Sequence, residues 1–157
     1  MTRKLALQPW ISASTAILFL RLVLGVIFFA HGSQKLLGWF GGYGVTGTLG
    51  FFAKMGIPTV LGYAAIFAEF FGGLLLIFGL FSRLGAIAIS VNMTVAILKV
   101  HLAKGFFNPT GIEFPLILLI SALTVFFYGP GLYSADAALF GRIEERSTEE
   151  KVVRRAA

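Results

Sequence analysis

The chain has no cysteine. Disulfides, thiol nucleophiles, a CxxC redox pair and thiolate-bound zinc or iron–sulfur clusters are therefore excluded within it. Charge is scarce too. Asp, Glu, Lys and Arg make up 13% of the 157 residues, where a soluble domain has about 25%. Between Arg21 and Phe140 the charged residues are Lys35, Lys54, Glu69, Arg83, Lys99, Lys104, Glu113 and Asp136, and the rest crowd into the two ends. What fills the space is apolar: 57% of residues are hydrophobic, and the mean hydropathy is +0.88. This is the composition of an integral membrane protein in a lipid bilayer. The net charge of +6 is then no nucleic-acid footprint, and no nucleic-acid partner is expected. Basic residues flanking apolar spans set topology against anionic lipid.

Four apolar segments approach the ~20 residues that a bilayer crossing needs: 13–37, 59–81, 84–103 and 114–128, the last being short. Their Leu, Ile, Phe, Ala and Gly content predicts helices, not alternating barrel strands. The fold class expected is all-α, a four-transmembrane-helix bundle. Residues 1–140 form a single membrane domain and 141–157 a charged cytoplasmic tail with a short helix. Arg3 and Lys4 before an apolar run resemble a signal peptide, but the run is long, Arg21 interrupts it, and no small-x-small site comes after it; it is expected to stay as the first span.

Arg3, Lys4, Arg83, Arg142, Arg146, Lys151, Arg154 and Arg155 fall on one side of such a bundle. That excess places both termini in the cytoplasm and the protein in the cytoplasmic (inner) membrane as a multi-pass protein. The turn LFSRLG (80–85) forces a tight antiparallel hairpin. The first outer loop, 38–58, is long, glycine-rich and aromatic. Its TLGFFAKMG part (48–56) is expected to form an interfacial helix, anchored by Trp39 and Tyr43. The second, KGFFNPTGIEFP (104–115), is expected to be ordered by its aromatics and prolines.

On helical wheels, Arg21, Gly25, Phe28, Gly32 and Lys35 share a face, with His31 beside them. Gly62, Ala65, Glu69, Gly72 and Leu76 share a second; Gly85, Ala88, Asn92, Ala96, Lys99 and Ala103 a third; Ser121, Thr124 and Tyr128 a fourth. Small residues let helices approach closely, so these stripes predict the packed interior, with polar groups facing one another. A buried lone carboxylate is costly, and Glu69 needs a cation. Arg21, reaching up from a deeper level, is the structural ion-pair partner weighed here; His31, Lys35 and Lys99 are the others. Buried pairs of this kind can serve only to fix helix register, and Asn92 fits an interhelical hydrogen bond. Lys35 can simply snorkel. His31 is the least easily structural, being central and titratable near neutral pH. His101 falls opposite Asn92 if its helix stays regular, which makes it interfacial. A bis-histidine haem is disfavoured, since only His31 points inward well, and no metal site is expected.

RLVLGVIFFAHGSQKL (21–36), FAEFFGGLLLIFGLFSRLGA (67–86), Asn92 in SVNM and GPGLYSAD (129–136) together resemble the DoxX family over roughly residues 15–140. The resemblance implies a small four-helix membrane protein linked to redox systems, the family's name coming from a subunit associated with a quinone-linked oxidoreductase. It implies that Arg21, Lys35 and Glu69 are recurrent charged positions. It also implies that Gly129, Pro130, Gly131, Ser134 and Asp136 form a terminal motif, in which Leu132 departs from a usual basic residue. Physically, that motif breaks the fourth helix, and Ser134 can cap a new one with Asp136 in its first turn.

A quinone site needs an apolar slot and donors for two carbonyls. The candidate ligand-binding set is His31, Gln34, Lys35, Glu69, Asn92 and Lys99, with Glu69 setting the charge or tautomer of His31. The expected function is an accessory or quinone-interacting membrane subunit of an oxidoreductase system. No covalent cofactor is expected, and the chain has no electron carrier or nucleophile of its own. Electrons would come from a redox partner protein, and a homo-oligomer is compatible with the pattern. The alternatives are a non-catalytic scaffold or carrier of a small lipid-like molecule, and a proton-coupled transporter built on Glu69 and His31.

Overall fold

A computed structural model describes residues 11–139 and 141. The basic ends that argued orientation (Arg3, Lys4, Arg142, Arg146, Lys151, Arg154, Arg155) and nearly all of the expected tail lie outside the described residues. The described residues include five principal α-helices: α1 Ala13–Leu36, α2 Gly44–Lys54, α3 Thr59–Phe78, α4 Ser82–Ala96 and α5 Glu113–Tyr128. Beyond Ala96 the chain continues helically, but as a π-turn (Ile97–His101) and then a 3₁₀ turn (Leu102–Lys104). No strand occurs among the described residues.

The starts and stops obey local chemistry. Ser12 caps α1, its hydroxyl accepting the Thr15 N–H at 3.1 Å. Pro58 precedes α3 and Gly79 ends it with φ of 68°, a left-handed cap that a Cβ would disfavour. Ser82 begins α4 only a few residues later, so the expected hairpin is as tight as its turn dictates. α1, α3 and the 23-residue helical run Ser82–Lys104 are long and apolar enough to cross a membrane. α5, with 16 residues, spans about 24 Å, less than the ~30 Å hydrocarbon core. The chain is thus a multi-pass membrane protein.

Around the bundle α1 packs on α3, α3 on α4, α4 on α5, and α5 returns to α1, while α2 lies over α1 and α3. The core holds Leu24, Phe28, Leu76, Ala86, Ile89, Met93, Leu118, Ala122 and Val125. In lipid no hydrophobic force presses helices together, so close fit must do so. At α1–α3 a Cβ built on Gly25 would lie 2.9 Å from the Gly73 carbonyl oxygen, and at α3–α4 one on Gly85 would lie 3.1 Å from that of Gly72. Gly25, Gly32 and Gly85 therefore pack against the backbone of the neighbouring helix, while Gly62 packs on the Leu49 and Phe52 side chains of α2.

Two expected faces are corrected. On α4 the buried residues are Ser82, Gly85, Ala86, Ile89, Ser90 and Met93; Ala88, Asn92 and Ala96 are only half-buried and Lys99 is exposed. On α5 the buried face is Pro115, Leu118, Ala122 and Val125, whereas Thr124 and Tyr128 are exposed. Thr124 needs no interior partner because its hydroxyl donates to Ile120 O of its own helix at 2.8 Å. A hydroxyl is thus a weak guide to the inside of a membrane helix.

Candidate functional site

The two ends of the bundle each gather buried polar groups. At the end carrying the α3–α4 turn, Arg21 is 1% exposed. Its Nη1 donates to the carbonyls of Leu76 and of Ile77 (3.0 Å), and its Nη2 to that of Tyr133 (2.8 Å). A guanidinium on the last-turn carbonyls of α3 satisfies acceptors left without helical donors and meets the negative end of the helix dipole. Asp136 completes the arrangement. Its carboxylate accepts the N–H groups of Phe81 (2.7 Å) and Ser82 (3.0 Å) at the start of α4. Its own N–H donates to Gly79 O at 2.9 Å. Ser134 accepts the Ala137 N–H at 3.1 Å, capping the helical segment that begins at Ala135. The GPGLYSAD segment is therefore a latch that locks the hairpin to α1.

The expected Arg21–Glu69 ion pair is corrected by this geometry: Arg21 is consumed by backbone carbonyls at the turn end. Glu69, 4% exposed, pairs through Oε2 with the Lys35 ammonium. Its Oε1 accepts from Asn92 Nδ2 at 2.8 Å. Three helices meet at this carboxylate. Lys35 reaches down from the last turn of α1, its side chain 27% exposed, so the snorkelling expectation is replaced by an inward reach.

Beside this triad runs a cavity of about 1000 Å³. Its walls are the small and apolar side chains Leu61, Ala64, Ala65 and Ala68 of α3 with Leu84, Ile87, Ala88 and Val91 of α4, and Phe51 and Phe52 of α2 roof it. The predicted small-residue stripes thus split in function: glycines bring backbones together, and alanines leave room. Leu61, Ala64, Leu84 and Val91 line the cavity yet are exposed, so this flank opens sideways to the bilayer. The polar lining is Lys35, Glu69, Asn92, His31, Lys99, His101 and Asn108.

Five of the six candidate ligand-binding residues thus line one space: His31, Lys35, Glu69, Asn92 and Lys99. The exception is Gln34, whose Nε2 donates to Phe40 O at 3.3 Å and holds the turn Trp39–Gly41 just beyond α1. His31 is exposed and makes no hydrogen bond among the described residues. The expected control of its tautomer by Glu69 is absent, since both Glu69 oxygens are engaged by Lys35 and Asn92. Lys99 likewise stands without an anionic partner among the described residues.

One lining residue was assigned elsewhere from the sequence. A regular helix puts His101 opposite Asn92. The π-turn at Ile97–His101 inserts an extra residue into the turn and shifts the helical phase at its far end, bringing His101 to the cavity. Its Nδ1 bonds Thr110 O at 2.7 Å. The 104–115 loop that supplies this carbonyl is tightly tied: Asn108 N–H donates to Glu113 Oε2 at 3.0 Å, and Ile112 N–H to Gly105 O at 3.0 Å. Nothing in the periodicity of 84–103 announces the widened turn.

Comparison with known proteins agrees with this architecture. The DoxX family model matches residues 16–102. A Bacillus subtilis (strain 168) protein named "Putative oxidoreductase CatD" is 31% identical over 123 residues, covering 78% of this chain and 86% of that protein. An uncharacterized protein of Haemophilus influenzae is 36% identical over 130 residues, covering 78% of this chain and 89% of its own. No solved structure matches significantly. With four packed apolar helices, Glu69 at the meeting of three of them and the family model covering more than half of the chain, the protein belongs to the DoxX family.

Proposed function

We propose that this protein is a quinone-interacting membrane subunit of an oxidoreductase system, accessory to a redox partner that supplies the electrons. The observation that carries the reading is the cavity itself: a long apolar slot, open sideways to lipid, that ends in polar side chains able to donate. An apolar pocket with a few convergent polar groups is the general form of a small-molecule site. The alkyl tail of a quinone would lie against Leu61, Ile87 and Val91. His31 and Lys99, neither engaged by another side chain among the described residues, would donate to its carbonyls, and the Lys35–Glu69–Asn92 triad would form the polar back wall. A quinone bound there supplies two-electron, two-proton redox chemistry; this chain's part is to hold the ring, keep its head among donors and exclude bulk water. The relative named as an oxidoreductase supports the same class. The orientation proposed puts both termini in the cytoplasm and the cavity's polar end toward the outer surface of the inner membrane. Of the basic residues that argue it, Arg83 falls within the described residues.

The test is native mass spectrometry of the protein extracted in mild detergent, followed by titration with a short-chain quinone. A co-purifying or saturably bound quinone is expected. His31→Ala with Lys99→Ala should reduce its retention at least tenfold, about 1.4 kcal/mol, with melting unchanged. A protein that binds no quinone, or a double variant that binds it like the parent, overturns the reading; a tightly held phospholipid in its place would favour the lipid carrier. For orientation, cysteines introduced at Gly47 and Thr110 should react with an impermeant thiol reagent from outside, and one at Thr148 should not. The reverse pattern would invert the topology.

A further inference from the structure

His101 lines the cavity through the π-turn, and its Nδ1 lies 2.7 Å from the Thr110 carbonyl oxygen. A carbonyl can only accept, so the proton of the neutral imidazole sits on Nδ1. Nε2 then carries the lone pair, and no hydrogen bond occupies it among the described residues. The carbonyl does not wander, because its loop is tied at Asn108, Gly111, Ile112 and Glu113. Another open acceptor is the Asn92 side-chain oxygen, whose amide nitrogen is spent on Glu69. The cavity therefore offers acceptors whose orientation is set in advance, next to the donors His31 and Lys99.

Resting on the quinone reading above, we propose that His101 Nε2 accepts a hydrogen bond from a ring hydroxyl of the ligand, so that the site prefers the reduced, hydroxyl-bearing quinol to the quinone. A quinone has only acceptors at its head. It would meet the His101 lone pair with nothing to donate and leave that group desolvated and unpaired. A site built to bond a hydroxyl discriminates strongly against the analogue that lacks it. A quinol donates to His101 and still accepts from Lys99.

The experiment measures binding of a short-chain quinol and of its quinone to the full chain in nanodiscs under anaerobic conditions, by competition with a fluorescent quinone analogue. The parent is expected to bind quinol at least tenfold more tightly than quinone. In His101→Asn the side-chain amide can still donate to Thr110 O but has nothing in place of Nε2. It should keep the parent's melting while losing the quinol preference, quinol binding falling and quinone binding holding or tightening because no lone pair is left to desolvate. His101→Gln, whose longer amide can present its oxygen near the Nε2 position, should restore part of it. Equal affinities for both forms in the parent, or an undiminished preference in a folded His101→Asn, would overturn the proposal while leaving quinone binding itself intact. A parent that binds neither form would overturn the quinone reading together with this inference.

Discussion

Arg21 and Lys35 leave α1 on the same face, about 21 Å apart along its axis, and the molecule uses them in opposite ways. Arg21 is sealed: its bonds run to backbone carbonyls, and Gly79, Ser134 and Tyr133 close over it. Lys35 faces a carboxylate that itself borders a cavity. A buried charge at a bundle end is architecture when its partners are backbone. It becomes a candidate for chemistry when its partners are side chains beside open space. Substitutions at the two ends should therefore fail in different ways.

The largest effect is expected at the sealed end. Arg21→Met removes three charge-assisted bonds, each worth about 1.5–3 kcal/mol, and leaves the α3 carbonyls without partners. The fraction of protein recovered folded from detergent should collapse, with Arg21→Lys intermediate. Recovery at parental levels would mean that the latch is dispensable. Next comes the close approach of α1 to α3. Gly73→Leu places a side chain against the Phe29 backbone and the Gly25 carbonyl, so the helices should separate and the melting temperature fall sharply. Val60→Leu, at a position 77% exposed, should leave melting unchanged, and equal effects at both sites would contradict the packing.

At the open end, Glu69→Leu strands Lys35, at a cost of about 3–5 kcal/mol by analogy with broken buried pairs. Part-exposure of Lys35 places the expected loss toward the lower figure. Glu69→Gln should be milder because it keeps an acceptor, and Lys35→Met combined with Glu69→Leu should recover most of the loss in a double-mutant cycle. A cycle with no coupling would mean that the two charges do not act as a pair. The smallest of these effects is Asp136→Asn, which keeps one acceptor on the α4 N-terminus and should cost about 1 kcal/mol, seen as a modest fall in melting with ligand retention unaltered.

Much of this molecule was legible in its sequence. Span positions came from apolar length, and the hairpin from the shortness of LFSRLG. Asn92 could be placed level with Glu69, and Lys35 and Lys99 nearer the outer surface, because a helix rises evenly. Other features depended on what a wheel does not encode. Side-chain reach decided that Lys35 and not Arg21 meets Glu69, since a long flexible side chain can bond well away from its own Cα. Helix regularity decided His101: a regular helix makes it interfacial, opposite Asn92, and one π-turn brings it to the cavity. Residue size decided Ala65, Ala88 and Ala96, which read like a packing seam in sequence and prove to be cavity wall. On α5, Thr124 looked interior only because its self-satisfying bond to Ile120 is invisible to a wheel.

The most direct test of the contrast between the two ends is the amount of quinone-class molecule bound per protein. It would be measured by extraction and by native mass spectrometry on the parent, His31→Ala with Lys99→Ala, and Arg21→Lys, each checked for a folded bundle. A saturably bound molecule is expected in the parent, at least a tenfold loss in the His31/Lys99 variant, and full retention in whatever Arg21→Lys protein remains folded. Equal retention in the parent and the His31/Lys99 variant, or no binding in the parent, would contradict the assignment of ligand chemistry to the open end.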